Sequence, residues 1–264
     1  MKITVVVENL ASPPFIAEHG FALAVERGGV NLLFDTGAGT ALLPNLARTV
    51  ISPDHFDRIV LSHGHYDHSG GLAQLAPRDL WLVSGAEKRR YSRHSGVPVR
   101  DIGMPEVCAA SLRHFRRHEV GAFTELADGL FLTGPIPRRS GEDCGGPFFL
   151  DEHGLEPDAI GDEQALLTAD GVLIHGCCHS GIVNTLDFCR EKHPEIHIHT
   201  IVGGLHLLYA DRARLELTAA ALRMYGVVRL AAMHCSGDGA VDFLRRELPE
   251  CAIVRPSAGD VLEF

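Results

Sequence analysis

Within Leu61-Ser62-His63-Gly64-His65-Tyr66-Asp67-His68-Ser69-Gly70-Gly71, three histidines and one carboxylate fall within six residues. Imidazole nitrogens and a carboxylate oxygen are ligands for zinc, manganese or iron. The run Arg58-Ile59-Val60-Leu61-Ser62 just ahead of them is mostly apolar and reads as a buried strand. If the chain stays extended past it, His63 and His65 project to the same side. Asp67 and His68 cannot join them at one ion without crowding, so the spacing points to two adjacent metals. A histidine-rich surface turn would account for one of these side chains, but poorly for the set at a strand end.

The second half of the chain repeats the arrangement. His179 lies in Gly176-Cys177-Cys178-His179-Ser180-Gly181, His206 in Gly203-Gly204-Leu205-His206, and His234 in His234-Cys235-Ser236-Gly237. Each follows an apolar strand and precedes a helix, expected at about 182–192, 210–225 and from 237 through 247. Reactive residues at strand C-termini are how layered α/β enzymes build sites. A core histidine capping a strand would explain one of them, not the recurrence. Thiolate ligation is open to Cys177 and Cys178, although packing by small side chains is the simpler reading.

The remaining elements must position these residues. Lys2 to Glu8 reads as a first strand, and Pro13-Pro14 opens a loop. Residues 21–26 and 30–35 read as a hairpin about Gly28-Gly29. Gly37-Ala38-Gly39-Thr40 faintly echoes a nucleotide-binding turn but lacks its third glycine. Helices are expected at 40–50, from Gly71 to about Ala76, and over the basic stretch 85–91, with a strand at 80–83 between the last two. The polar segment 92–120 reads as a loop able to cover a site, its His94, His114 and His118 being surface residues. Strands are expected at 130–134, 164–168, 172–176, 196–202, 228–233 and 252–255. Residues 140–161 show no period and look like an insertion.

A chain of 264 residues at 45% hydrophobic can bury a large core. No apolar run is long enough to span a membrane, and the N-terminus lacks the features of a signal peptide. Seven cysteines, mostly within apolar segments, suggest reduced thiols and a cytoplasmic setting. A formal charge of −10 argues against a broad nucleic-acid surface but allows a local anion pocket. Oligomeric state is not legible.

The His-x-His-x-Asp-His pattern after an apolar strand resembles the metallo-β-lactamase superfamily, and the resemblance runs along nearly the whole chain. It implies an α/β fold, the four-layer αββα sandwich, as one domain over 1–264 with a loop insertion at about 135–162. It also implies two divalent metal ions, zinc first, with manganese or iron as alternatives. One would be held by His63, His65 and His179, the other by Asp67, His68 and His234. Asp35, in Asp35-Thr36-Gly37, would orient a ligand histidine. Many members bridge the metals with an aspartate where this chain reads Val202-Gly203-Gly204-Leu205-His206-Leu207, so His206 is read as a metal ligand or a substrate contact.

Thr133-Gly134-Pro135-Ile136-Pro137-Arg138-Arg139, Asp162-Glu163-Gln164-Ala165-Leu166 and the three histidine motifs, in this order, resemble a subfamily commonly labelled 7,8-dihydropterin-6-methyl-4-(β-D-ribofuranosyl)-aminobenzene-5′-phosphate synthase. Arg138 and Arg139, in a proline-stiffened loop, could grip a phosphate or carboxylate. The reading is a metal-dependent hydrolase acting on a small anionic compound, a phosphorylated molecule or phosphodiester, with Asp67 as the catalytic carboxylate. A pterin-forming transferase and a non-catalytic metal- or nucleotide-binding protein are the rivals. Aromatics at 6% with a single tryptophan argue against a flat pterin pocket.

Overall fold

A computed structural model of the chain describes residues 1–142 and 146–264. The chain divides into two compact units, whose described residues are 1–121, 146–162 and 257–264 in the first, and 122–142 and 163–256 in the second.

The first unit is built on a sheet of β1 (Lys2–Val7), β2 (Ala22–Arg27), β3 (Val30–Phe34), β4 (Arg58–Val60), β5 (Asp79–Leu82), β8 (Arg116–Glu119) and β17 (Val261–Glu263), ordered β17-β1-β2-β3-β4-β5-β8. Pairing is antiparallel from β17 to β3 and parallel from β3 to β8. The β2–β3 hairpin turns on Gly28 and Gly29, both at positive φ (56° and 82°), which a two-residue turn matching the strand twist requires. Ile59 and Val60 of β4 are wholly buried between parallel neighbours, hence the apolar run. One core joins Val6, Leu33, Ile59 and Leu80 to Leu42 and Leu46 of helix α1 (Leu42–Leu46) and Cys108 of α3 (Glu106–Ser111). Helix α2 (Tyr66–Ser69) lies within the histidine motif.

Several expected elements differ. The helix expected at 40–50 is only α1, ended where the Thr49 hydroxyl donates to the Leu46 carbonyl at 2.8 Å. The segment after Gly71 is a single 3-10 turn, Leu72–Gln74. Residues 85–91 are not helical: Gly85 sits at φ 91°, and Arg90 turns inward to buried carboxylates. The expected loop 92–120 carries β7 (Arg100–Asp101), α3 and the edge strand β8. β8 reads Arg-Arg-His-Glu, and charge on an exposed edge hides a strand from hydropathy. His118 on it stacks over Trp81, ring centroids 4.2 Å apart, with Asp79 at 2.9 Å. β17 was not anticipated. Within the expected insertion, β11 (Phe148–Phe149) joins β6 (Tyr91–Ser92) and β7 in a three-stranded sheet, while residues 143–145 lie outside the described residues. The Gly37–Thr40 turn is no phosphate cradle, because the amides of Ala38, Thr40 and Ala41 donate to the Glu18 carboxylate at 2.8, 2.5 and 2.9 Å.

The second unit is built on β9 (Thr124–Ala127), β10 (Leu130–Leu132), β12 (Ala165–Thr168), β13 (Val172–His175), β14 (Thr200–Gly204), β15 (Arg229–Met233) and β16 (Ala252–Val254), ordered β16-β15-β14-β13-β12-β10-β9. It too is antiparallel on one side, β9 to β13, and parallel on the other, β13 to β16. The parallel crossovers are α4 (Ile182–Lys192), α5 (Arg212–Met224) and α6 (Asp238–Glu247). Leu186, Leu222 and Leu244 on their inner faces pack with Leu173, Ile201 and Leu230. Asp211 caps α5 by accepting from the Arg214 amide at 2.8 Å. The Glu142 carboxylate accepts from the first two amides of α4 at 3.2 and 3.0 Å. Among the described residues no helix is long and apolar enough to cross a membrane.

Candidate metal centre

In the first unit the motif leaves β4 and is pinned from outside itself. A β-carbon on Gly64 would lie 1.7 Å from the Ala86 carbonyl oxygen, so only glycine fits between His63 and His65. The Gly64 amide donates to Asp162 Oδ2 at 2.8 Å, and Arg90, 2% exposed, donates to both Asp162 oxygens at 2.5 and 3.1 Å and to Asp158 at 2.7 Å. Asp35, at φ 61°, holds the other side. Its carboxylate accepts from the Ser62 amide and hydroxyl at 2.6 and 2.7 Å and sits 2.7 Å from His68 Nδ1. A carboxylate on Nδ1 fixes the proton there and makes Nε2 the basic nitrogen of His68.

His63 Nε2 is 3.0 Å from His65 Nδ1, and the His63 ring lies 4.2 Å from that of His68. Burial, reinforced by the positive charge that His68 and His65 would carry, keeps the His63 pKa well below the usual histidine value. That favours the neutral form of His63, the form that binds a metal. Asp67 is buried with Oδ2 3.3 Å from Nε2 of the exposed His19. His19 lies in the loop before β2 with no spacing to mark it, and sequence reasoning missed it.

In the second unit three strand ends supply the donors. Cys177, His179 and His206 have ligand atoms within 4.8 Å of one another, and so do Cys177, His234 and Cys235. The His179 and His206 rings are 4.4 Å apart. Cys178, His206 and His234 adopt φ of 62°, 48° and 50°, left-handed values that non-glycine residues hold only when the surroundings impose them. One such constraint is Glu163, whose carboxylate oxygens accept from the His179 and Ser180 amides, each at 2.5 Å. The expected packing role fits Cys178, which is buried in the core with Sγ 3.8 Å from Thr185 Oγ1. Cys177 instead points among the donors. Cys235 was passed over in the sequence because nothing in its spacing singles it out. Burial alone would raise its thiol, but hydrogen bonds with Cys177 and His206 and the charges of His234 and His206 outweigh burial and lower it well below the usual value. His175, ending β13, is wholly buried, and burial pushes it down to about 4.

Arg138 and Arg139 are exposed. The Arg139 guanidinium pairs with Glu191 on α4, and the amides of Arg139 and Ser140 donate to Asn184 Oδ1 at 2.8 and 2.7 Å. Of the expected fork, Arg139 is thus engaged by α4, while the charge of Arg138 acts on the Glu163 carboxyl.

Comparison with known proteins defines the class. The family model described as the metallo-β-lactamase superfamily matches residues 17–80, which include the whole motif. The crystal structure of Tm1679, a metal-dependent hydrolase of the β-lactamase superfamily, superposes with a TM-score of 0.88 at 33% identity, covering 100% of this chain and 99% of that one. The chain belongs to the metallo-β-lactamase superfamily, and the expected α/β fold is its fold.

Two relatives come from Methanocaldococcus jannaschii. The uncharacterized protein MJ0448 is 30% identical over 213 residues, 78% of this chain and 79% of its own. The protein named 7,8-dihydropterin-6-methyl-4-(β-D-ribofuranosyl)-aminobenzene-5′-phosphate synthase is 27% identical, covering 100% of this chain and 97% of its own. Members of the superfamily usually bind divalent metals, and the histidine and carboxylate donors described above fit such ions.

Proposed function

We propose that the protein is a metal-dependent hydrolase of a small phosphorylated compound or phosphodiester. The observation that carries this reading is the buried His63–His65–His68 cluster, kept neutral at His63 and oriented at His68 by Asp35. The proposed ligand sets are His63, His65 and His179 for one divalent ion, and Asp67, His68 and His234 for the other, a reading that the likeness to the superfamily supports. His206 is a further ligand or a substrate contact. When bound, such cations bring the pKa of water toward neutrality and stabilise negative charge on a departing oxygen. The protein's own part is to hold these donors rigid, to keep His63 unprotonated, and to orient the attacking water through Asp67. Arg138 supplies the guanidinium for a substrate phosphate.

Pterin-type group transfer is the second reading, favoured by the full-length likeness to the named synthase and by Phe148, whose ring lies 5.5 Å from that of His65.

Metal analysis of protein made in replete medium, beside a panel of phosphoesters, lactones and lactams, tests the proposal. Two equivalents of zinc, manganese or iron and turnover of phosphoesters are expected. Arg138→Ala should then cost about 1.5–3 kcal/mol on charged substrates only, the range for a charge-assisted hydrogen bond. Less than one equivalent after metal addition overturns the reading. Retained metal with no hydrolysis, but with transfer on a dihydropterin substrate, replaces it by the second.

A further inference from the structure

We propose that the second unit carries a thiolate–imidazole metal site formed by Cys177, His234 and Cys235, suited to a soft or borderline ion such as zinc, cadmium or cuprous copper. It goes beyond the histidine and carboxylate sets above, and shares His234 with them.

The three ligand atoms lie within 4.8 Å of one another. Tetrahedral coordination with metal–sulfur bonds of about 2.3 Å places two sulfurs about 3.8 Å apart, so small side-chain rotations close the site. The Cys235 sulfur is already fixed from several directions. It accepts from the His206 amide at 3.3 Å, and its thiol points to the Cys177 carbonyl at 3.5 Å. A β-carbon at Gly204 would lie 2.5 Å from this sulfur, and one at Gly203 only 2.0 Å from the His175 carbonyl oxygen. The paired glycines that stand where a bridging carboxylate was expected therefore make room for the thiol and for close approach of the β13 and β14 ends. Cys177 also lies within the same reach of His179 and His206, which offer further nitrogens.

Charge favours the assignment. Two thiolates neutralise a divalent ion, whereas imidazoles alone leave its full charge in a buried place, where uncompensated charge is costly. Sulfur donors also select zinc, cadmium and cuprous ions over the manganese that a histidine–carboxylate set accepts.

The test is cadmium titration of the reduced, full-length protein, read by sulfur-to-cadmium charge-transfer absorption and by cadmium NMR. Binding should develop the sulfur signature. Cys177→Ser and Cys235→Ser should each diminish it, and the double variant should abolish it, with circular dichroism confirming the fold. His63→Ala and Asp67→Ala, which remove donors of the proposed hydrolytic centre, should leave it in place. A signature unchanged in the double serine variant, or none in the wild type, overturns the inference. The sulfur signature reports on this site alone, while the phosphoester assay reports on the proposed function, so the two readings fall separately.

Discussion

The two units place chemistry-bearing residues at the C-terminal ends of parallel strands in similar sheets, yet hold them by different means. In the first unit the donors are contiguous in one loop, and remote charged side chains lock it: Asp35, holding Ser62 and His68, on one flank, Asp162 and Arg90 on the other. In the second, the donors come from three strand ends, and the backbone does the aiming, through left-handed residues, paired glycines and the Glu163 carboxylate. A crowded loop cannot orient its own side chains, because each ring blocks the next, so its orientation must come from elsewhere in the chain. Separate loops need only arrive in the correct conformation.

The largest expected effect is at the contiguous loop itself. Asp67→Ala should lower turnover by several orders of magnitude with the melting temperature little changed, if the residue both holds an ion and orients the nucleophile as proposed. A near-normal rate would remove Asp67 from the chemistry.

Next is the lock. Arg90→Met strands two buried carboxylates and should cost about 3–5 kcal/mol in urea unfolding. A loss below about 1 kcal/mol would show that the loop does not depend on this remote charge, and the contrast between the units would fail.

Metal affinity sharpens the contrast further. Asp35→Asn keeps the side-chain shape but loses the charge on His68 Nδ1, and should weaken metal binding about 10–100-fold in a chelator competition. Glu163→Gln, whose carboxylate reaches the donor His179 through its backbone amide, should weaken it less. Equal losses would mean that both units orient their donors alike.

The smallest effect lies at an exposed guanidinium. Arg116, 76% exposed, and His118 hydrogen-bond Asp79 at the β5–β8 edge, and the Arg116 bond chiefly holds the Asp79 carboxyl far below the usual carboxylate range. A depressed carboxyl contributes stability above its unfolded pKa and loses that contribution as pH falls. Asp79→Asn should therefore cost less than about 1 kcal/mol at neutral pH, and the gap to wild type should close below about pH 4. A gap that widens on acidification would reverse this assignment.

Sequence alone determined most where ligand type and spacing are local. The His63–His68 motif names its own chemistry, and the apolar strands before His179, His206 and His234 announce themselves by composition. It also carried the family, because those motifs occur in one order along the chain. Only tertiary structure decided the rest. Arg90 reads as one of a basic run until the fold turns it onto Asp158 and Asp162, and β8 reads as loop because an edge strand tolerates charge on both faces. Cys177 and Cys178 are neighbours of one type, yet the left-handed φ at Cys178 sends one thiol into the core and leaves the other among the donors. Spacing along a chain encodes contacts within one loop; contacts between strand ends depend on which strands pair, and no local pattern records that.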